Sequence, residues 1–433
     1  MFRLRPDGEH LFPRALRPSG MQPPANTRRS PAPPGRRDAA YPFLRVALLI
    51  ALCLGPSAAW ASLADVLRDP RFNRLGLAPI APVLASTVAS TYPVASASSS
   101  VVYAYNPALD TLERQVGVAG PIIGERAETI GKGQFNLGAS YSYVHLTTIN
   151  GDDMDSLLNK PRVNGQTLIF PVKGGTTLKD GRFTTFLPVK VIADLDVTAN
   201  IATPSVTYGL TPDLDVNLTV PILQTSLGVT AHTQVPDPRF PEFALSPGNP
   251  NAQMGVRSLS DDAFGIGDIL LRAKYVLLRG DWVDVAAQLG LSLPTGSRND
   301  LQGTGTTRLQ PTVVLSHVYA GRFEPFLNAG VDYDTNDVSR SVVRWAVGGT
   351  AQIIDPLSLS VVFLGRHELA AQAEPIQTPF FFQIERNDQY DASVGCRWRF
   401  ASSGFVGLNA IVPLNDQGFR PDVIPTIEVE YSF

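Results

Sequence analysis

A two-residue rhythm runs from Gly133 to the carboxyl end and constrains this chain more than any motif does. In the last segment Ile427, Val429, Tyr431 and Phe433 fall on one side of an extended strand, and Thr426, Glu428, Glu430 and Ser432 on the other. Successive strand side chains point to opposite faces. A terminal strand that is apolar on one face, acidic on the other and aromatic at its end suits a wall between lipid and water better than the edge of a soluble sandwich. Those four apolar residues are also the candidate contact for an outer-membrane assembly machinery. The same period joins Phe135, Leu137, Ala139, Tyr141 and Tyr143 against Gln134, Asn136, Gly138, Ser140 and Ser142. It recurs over 197–210, 215–229, 264–278, 282–293, 308–320, 322–334, 341–354, 357–369, 389–400, 404–414 and 422–433, so there are twelve candidate strands in all.

The connections alternate in length. Tight turns at 211–214, 279–281, 320–322, 355–356 and 401–403 are separated by longer loops at 147–182, 231–263, 294–307, 335–340, 370–388 and 415–421. Outer-membrane barrels have short periplasmic turns and longer outer loops, whereas a soluble propeller or sandwich has no reason to sort them. The expectation is an all-β fold: a transmembrane antiparallel up-and-down β-barrel of about 12 strands, with both termini on the periplasmic side.

Charged residues make up only 17% of the 433, beside 36 Gly and 36 Pro, and no apolar run is long enough to form a membrane-crossing helix. Nine of the 36 Lys and Arg and three of the 39 acids lie in residues 1–61, so the remainder holds 27 basic and 36 acidic groups. That balance argues against a nucleic-acid partner. Within the leader, Arg45 precedes an apolar core at 46–54, and Ala59 and Ala61 flank Trp60 in the small-x-small pattern of a cleavage site. The domain expectation is therefore a leader and signal peptide at 1–61, a weakly ordered periplasmic segment at 62–130, and the barrel at 131–433. In the middle part Leu63, Val66 and Leu67 allow one helical turn before Pro70, and 85–100 reads as a linker rich in Ala, Ser and Thr. Removal of the leader takes away Cys53 and leaves Cys396 as the single thiol.

If the apolar faces meet lipid, the opposite faces line a lumen. The candidate lumen residues are Asp268, Arg272, Lys274, Asp284, Glu324, Asp332, Arg344, Arg366, Glu368, Asp391, Arg397, Arg399, Glu428 and Glu430. A cation on the lipid face at the bilayer midplane costs roughly 2–4 kcal/mol, which drives such groups inward. Tyr141, Tyr143, Tyr208, Tyr275, Trp282, Tyr319, Tyr333, Trp398, Phe400, Tyr431 and Phe433 cluster toward strand ends like interfacial girdles, while Trp345 sits mid-strand on the outer face. The run 379–382 carries three phenylalanines in an outer loop. Enzyme signals are weak: the five His are scattered, and the adjacent Ser316 and His317 face opposite sides of a strand. Asp152, Asp153 and Asp155 read as a solvated loop rather than a cation site. No catalytic residue, metal or cofactor is assigned.

Several stretches resemble the family named for the MetA pathway of phenol degradation, an outer-membrane "transporter" barrel family. They are Gly120-Pro121 with Glu125-Arg126-Ala127-Glu128-Thr129-Ile130-Gly131-Lys132-Gly133, and Tyr208 to Asp215 with Val220-Pro221. The others are Gly265-Ile266-Gly267-Asp268 ahead of Lys274-Tyr275, Leu291 to Gly296, and Gly303-Thr304-Gly305. The resemblance implies a barrel in the outer membrane of a Gram-negative bacterium that passes small aromatic or otherwise hydrophobic solutes. Its partners are then outer-membrane lipid and a small-molecule solute. It assigns no binding residues. A barrel enzyme of lipase or protease type and a closed structural barrel are the alternatives.

Overall fold

The computed structural model describes residues 62–69, 80–91, 96, 102–106, 111–115, 119–156, 168–177, 183–234, 256–370, 388–401 and 403–433. The leader with Ala59 and Ala61, and the phenylalanine run at 379–382, lie outside them.

Twelve antiparallel strands close into one barrel. They are β1 (Phe135–Ile149), β2 (Phe183–Thr211), β3 (Leu214–Thr219 continued by Ile222–Gln234) and β4 (Val256–Ile266 continued by Ile269–Arg279). Then follow β5 (Asp284–Leu293), β6 (Arg308–Ser316), β7 (Phe323–Asp334), β8 (Val342–Ile354), β9 (Leu357–Glu368), β10 (Gln389–Arg399), β11 (Gly404–Pro413) and β12 (Phe419–Pro421 continued by Ile424–Ser432). Each strand pairs with the next, and the last pairs with the first through Thr426–Ser142 to Ser432–Asn136. At the seam Phe433 N donates to Phe135 O at 2.8 Å. Closure leaves no unpaired edge, which is the condition for strands to cross hydrocarbon. Among the described residues no helix is long and apolar enough to cross a membrane.

Over most of the wall the outward face is apolar: Leu137, Leu271, Leu289, Val313, Val361, Val394, Leu408, Ile427 and Val429 are exposed. Tyr275, Trp282, Tyr319, Trp398, Tyr431 and Phe433 ring the short-turn rim. Trp345 fits no girdle because its indole lies over Gly365 of β9, where an added Cβ would stand 2.1 Å from the ring. The glycine makes room for the tryptophan on the neighbouring strand.

β2 to β4 depart from the sequence-based expectation. β2 begins at Phe183 rather than 197, and an outer hairpin pairs Leu168–Thr177 with its first residues. Counted from the short-turn rim, about ten residues suffice to cross the hydrocarbon. At that height the two faces exchange character. Asp194, Asp196, Thr198 and Asn200 of β2, and Gln224, Ser226 and Thr230 of β3, point outward. Ala193, Leu195, Val197, Ala199, Ile201, Leu223, Leu227 and Val229 are buried inward. On the outer surface His145 Nε2 sits 3.2 Å from Asp196, and Tyr141 Oη donates to Asn200 at 2.7 Å, marking the top of the lipid belt. The assignment of every apolar face to lipid is corrected here: above the belt the apolar residues pack inside.

They pack on two helices, α1 (Leu63–Arg68) and α2 (Ala81–Thr91). Leu63, Val66 and Leu67 of α1 are buried, and Ile80, Leu84 and Val88 form a stripe at four-residue spacing along α2. Leu63 N donates to Asp300 Oδ1 at 3.2 Å, and Ala64 N to Asn299 O at 2.8 Å, in the β5–β6 loop. The linker reading of 85–100 is therefore wrong through residue 91, and α1 and α2, from the segment read as periplasmic, pack against the inner face of the barrel. Small side chains that looked structureless in one dimension let a helix fit between strands.

Residues 119–134 then cross the lumen at the short-turn end. An added Cβ on Gly209 of β2 would stand 1.8 Å from the carbonyl oxygen of Gly131. Gly209→Val is expected to push this segment off the wall at a cost of roughly 1–3 kcal/mol, the usual range for overpacking. A lowered urea midpoint of the heat-modifiable gel band checks it.

Candidate functional site: the lumen and its floor

The crossing segment forms a floor, and the barrel holds it residue by residue. Glu125 N donates to Asn328 Oδ1 at 2.7 Å, and Asn328 Nδ2 donates back to Glu125 O at 2.8 Å. Arg272 Nη1 lies 2.7 Å from Glu125 Oε1. Arg126 is among the largest fully buried side chains and reaches Glu324 at 2.8 Å and Glu128 at 3.6 Å. Ala127 N donates to Ser316 Oγ at 2.9 Å, and Ile130 N to Asp215 Oδ2 at 2.9 Å. Lys274 Nζ donates to the carbonyl oxygens of Arg126 and Glu128 at 2.9 and 2.8 Å. Burial pushes the Glu128 carboxyl above its ordinary range, against the pull of the Arg126 charge.

All fourteen sequence-derived lumen candidates project inward, but they divide among distinct places. Arg272, Lys274 and Glu324 hold the floor. Arg397 pairs with Glu428 and lies 3.5 Å from Glu430, all three buried. Asp284 takes His317 Nδ1 at 3.0 Å near the short-turn rim, and Arg399 pairs with Asp355 in the β8–β9 turn. Asp268, Asp332, Arg344, Arg366 and Asp391 line a cavity, and Glu368 is buried beside it. The outward-facing Ile427, Val429, Tyr431 and Phe433 take no part.

The cavity has a volume of about 320 Å³ and lies on the long-loop side of the floor. Ile123, Gly124 and Glu125 form its base and Ala89 and Ser90 of α2 one side. Asp332 lies 3.0 Å from Arg308 and 2.7 Å from Arg344, and Asp391 pairs with Arg420. Asp268 accepts from Gly296 N at 3.0 Å, from Thr304 N at 2.7 Å and from the Thr304 hydroxyl at 2.7 Å. Leu364, Ile411 and Ile424 supply an apolar wall.

Residues the sequence-based list lacked are Glu125, Arg126, Asp215, Arg308, Asn328 and Arg420. Arg308 was detectable as an inward position at a strand start, whereas Arg420 stood in the loop read over 415–421. Glu125 and Arg126 stood in a quoted motif but outside any strand, so periodicity could not place them. Ser316 and His317 form no pair: the serine hydroxyl receives Ala127 N–H, and the imidazole goes to Asp284 and, edge-on at 4.9 Å, to the Tyr319 ring. Among the described residues no three His, Cys, Asp or Glu stand together as a metal group.

A closed antiparallel barrel with an apolar belt outside, ionised groups inside, and short turns and long loops sorted to opposite rims is a transmembrane barrel of the bacterial outer-membrane type. The family described as "Putative MetA-pathway of phenol degradation" matches residues 174–353, the family that the quoted motifs resemble. No curated protein matches the chain. Among solved structures, an outer membrane channel from Pseudomonas putida F1 is similar at TM-score 0.44 and 13% identity, over 71% of this chain and 98% of that one. A FadL homologue from Pseudomonas aeruginosa is similar at 0.32 and 13%, over 70% and 90%. The CymD monoaromatic hydrocarbon channel is similar at 0.34 and 11%, over 70% and 89%.

Proposed function

We propose that this protein is an outer-membrane channel that admits small, apolar or aromatic solutes to the periplasm and catalyses no reaction. On this reading residues 1–61 are a leader removed after Ala61, and residues 62–130 are an N-terminal segment on the periplasmic side whose helices α1 and α2 and floor residues plug the barrel. Residues 131–433 are the barrel, and its terminal strand is the handle for the assembly machinery. The observation that carries the reading is the cavity of about 320 Å³ above a floor held by hydrogen bonds, ion pairs and apolar packing. Such a floor can shift without breaking a covalent bond. The match to a family described by phenol degradation supports an aromatic solute.

Single-channel recording in planar bilayers tests this. The expected result is a low basal conductance whose open-state noise rises when benzyl alcohol is added. A solute-independent, sealed bilayer would establish the rival closed structural barrel, which the filled short-turn end favours. Hydrolysis of ester or peptide substrates that Ser316→Ala abolishes would instead make it an enzyme.

A further inference from the structure

Among the groups lining the cavity the arginines outnumber the carboxylates by one, with Asp334 standing 3.6 Å from Arg308 and Glu368 buried just outside the lining. Five arginines (272, 308, 344, 366 and 420) face four carboxylates (Glu125, Asp268, Asp332 and Asp391). Each carboxylate is already committed. Glu125 takes Arg272, Asp332 takes both Arg308 and Arg344, and Asp391 takes Arg420. Asp268 is saturated by the amide and hydroxyl donors of Gly296 and Thr304. Arg366 is the arginine left over. Its Nε and Nη1 are buried and find no hydrogen-bond partner among the described residues, and neither does Nε of Arg344. The two residues are direct cross-strand partners on β8 and β9. Like charges directly opposite on one face are destabilising, and an isolated buried guanidinium is costly unless something accepts its protons. The donors of this pair line the cavity, with Leu364, Ile411 and Ile424 on the same wall.

We infer that this cavity is a binding site for small apolar monocarboxylates, the carboxylate held between Arg366 and Arg344 and the hydrocarbon against Leu364, Ile411 and Ile424. Guanidinium and carboxylate match as a planar fork. A volume of 320 Å³ stands at the small end of ligand pockets, about 300–1,000 Å³, and suits a single-ring acid. The inference rests on the channel reading above and narrows it: the solutes bound best carry one negative charge on an apolar body, not a neutral ring and not a bare anion.

The test uses the full-length barrel in detergent and in liposomes, with benzoate, benzyl alcohol, acetate and inorganic phosphate as probes. Calorimetric titration should show benzoate binding at least tenfold tighter than each of the other three. Arg366→Gln with Arg344→Gln should erase that margin for benzoate and leave benzyl alcohol unchanged. Arg399→Gln, at the opposite rim, should keep it. Equal binding of benzoate and benzyl alcohol by the wild-type protein overturns the inference and needs no variant to fold. So does benzoate affinity that survives the double substitution. Benzyl alcohol entry into liposomes without benzoate preference sinks this inference and leaves the channel intact, whereas no entry of either probe sinks both.

Discussion

Arg126→Ala is expected to raise single-channel conductance severalfold and to lower the stability of the barrel by roughly 3–5 kcal/mol, the usual cost of removing one partner from a buried ion pair. Arg126 is buried in the middle of the floor, and its guanidinium is the cation that Glu324 meets at 2.8 Å. Without it the carboxylate of Glu324, equally buried, faces Glu128 with no countercharge between them. Separation of charges in a low-dielectric interior then drives the floor segment away from β7, and displacement of that segment opens the short-turn end. Adding Glu324→Gln removes the orphaned charge, so the double variant should recover most of the stability while the conductance stays high. Bilayer recordings beside urea titrations of the heat-modifiable band separate the two effects. Unchanged conductance in Arg126→Ala would mean that the floor is not what limits passage.

Arg397→Met should destabilise the barrel by a similar amount, roughly 3–5 kcal/mol, without changing conductance. Glu428 and Glu430 are two residues apart on β12 and so share its inner face. Arg397 from β10 reaches both, across the β11 glycine at position 407. The methionine fills the same space but leaves two adjacent, buried carboxylates with no cation. Glu428→Gln with Glu430→Gln in the same chain should rescue the variant. A variant that unfolds at the wild-type urea concentration at neutral pH would show that water, not Arg397, satisfies the pair.

The strand count, the sorting of loops and the inward direction of the charges were all legible in the sequence. A period of two marks a surface with different solvents on its two faces, and lipid against water is the sharpest such contrast. Where the contrast changes, the reading failed. In β2, Asp194 and Asp196 alternate with Leu195 and Val197 just as Glu428 and Glu430 do with Ile427 and Val429. The alternation fixes which residues share a face but not which face meets protein, lipid or water. Helix α2 was missed because Ala, Ser and Thr dominate it, and its stripe of Ile80, Leu84 and Val88 is too sparse to stand out beside them. The floor contacts link residues more than eighty positions apart, such as Ile130 with Asp215, and no local pattern can reveal such a partner. The sequence named the cavity arginines Arg344 and Arg366 as inward but could not tell which had a carboxylate of its own, since that depends on which strands the closure brings side by side.

The exchange of faces along β2 and β3 has a consequence for how the molecule meets its surroundings. Below the exchange the wall needs a bilayer or detergent to stay dissolved. Above it, the same strands carry their grease inward around two helices and offer Asp, Asn, Gln, Ser and Thr to the medium, as any water-soluble domain does. Over β2 and β3 the described barrel wall thus carries a hydrophilic crown above a lipophilic belt. That crown is where a water-soluble reagent would reach the strands directly, while the belt below it is reached only through lipid or detergent.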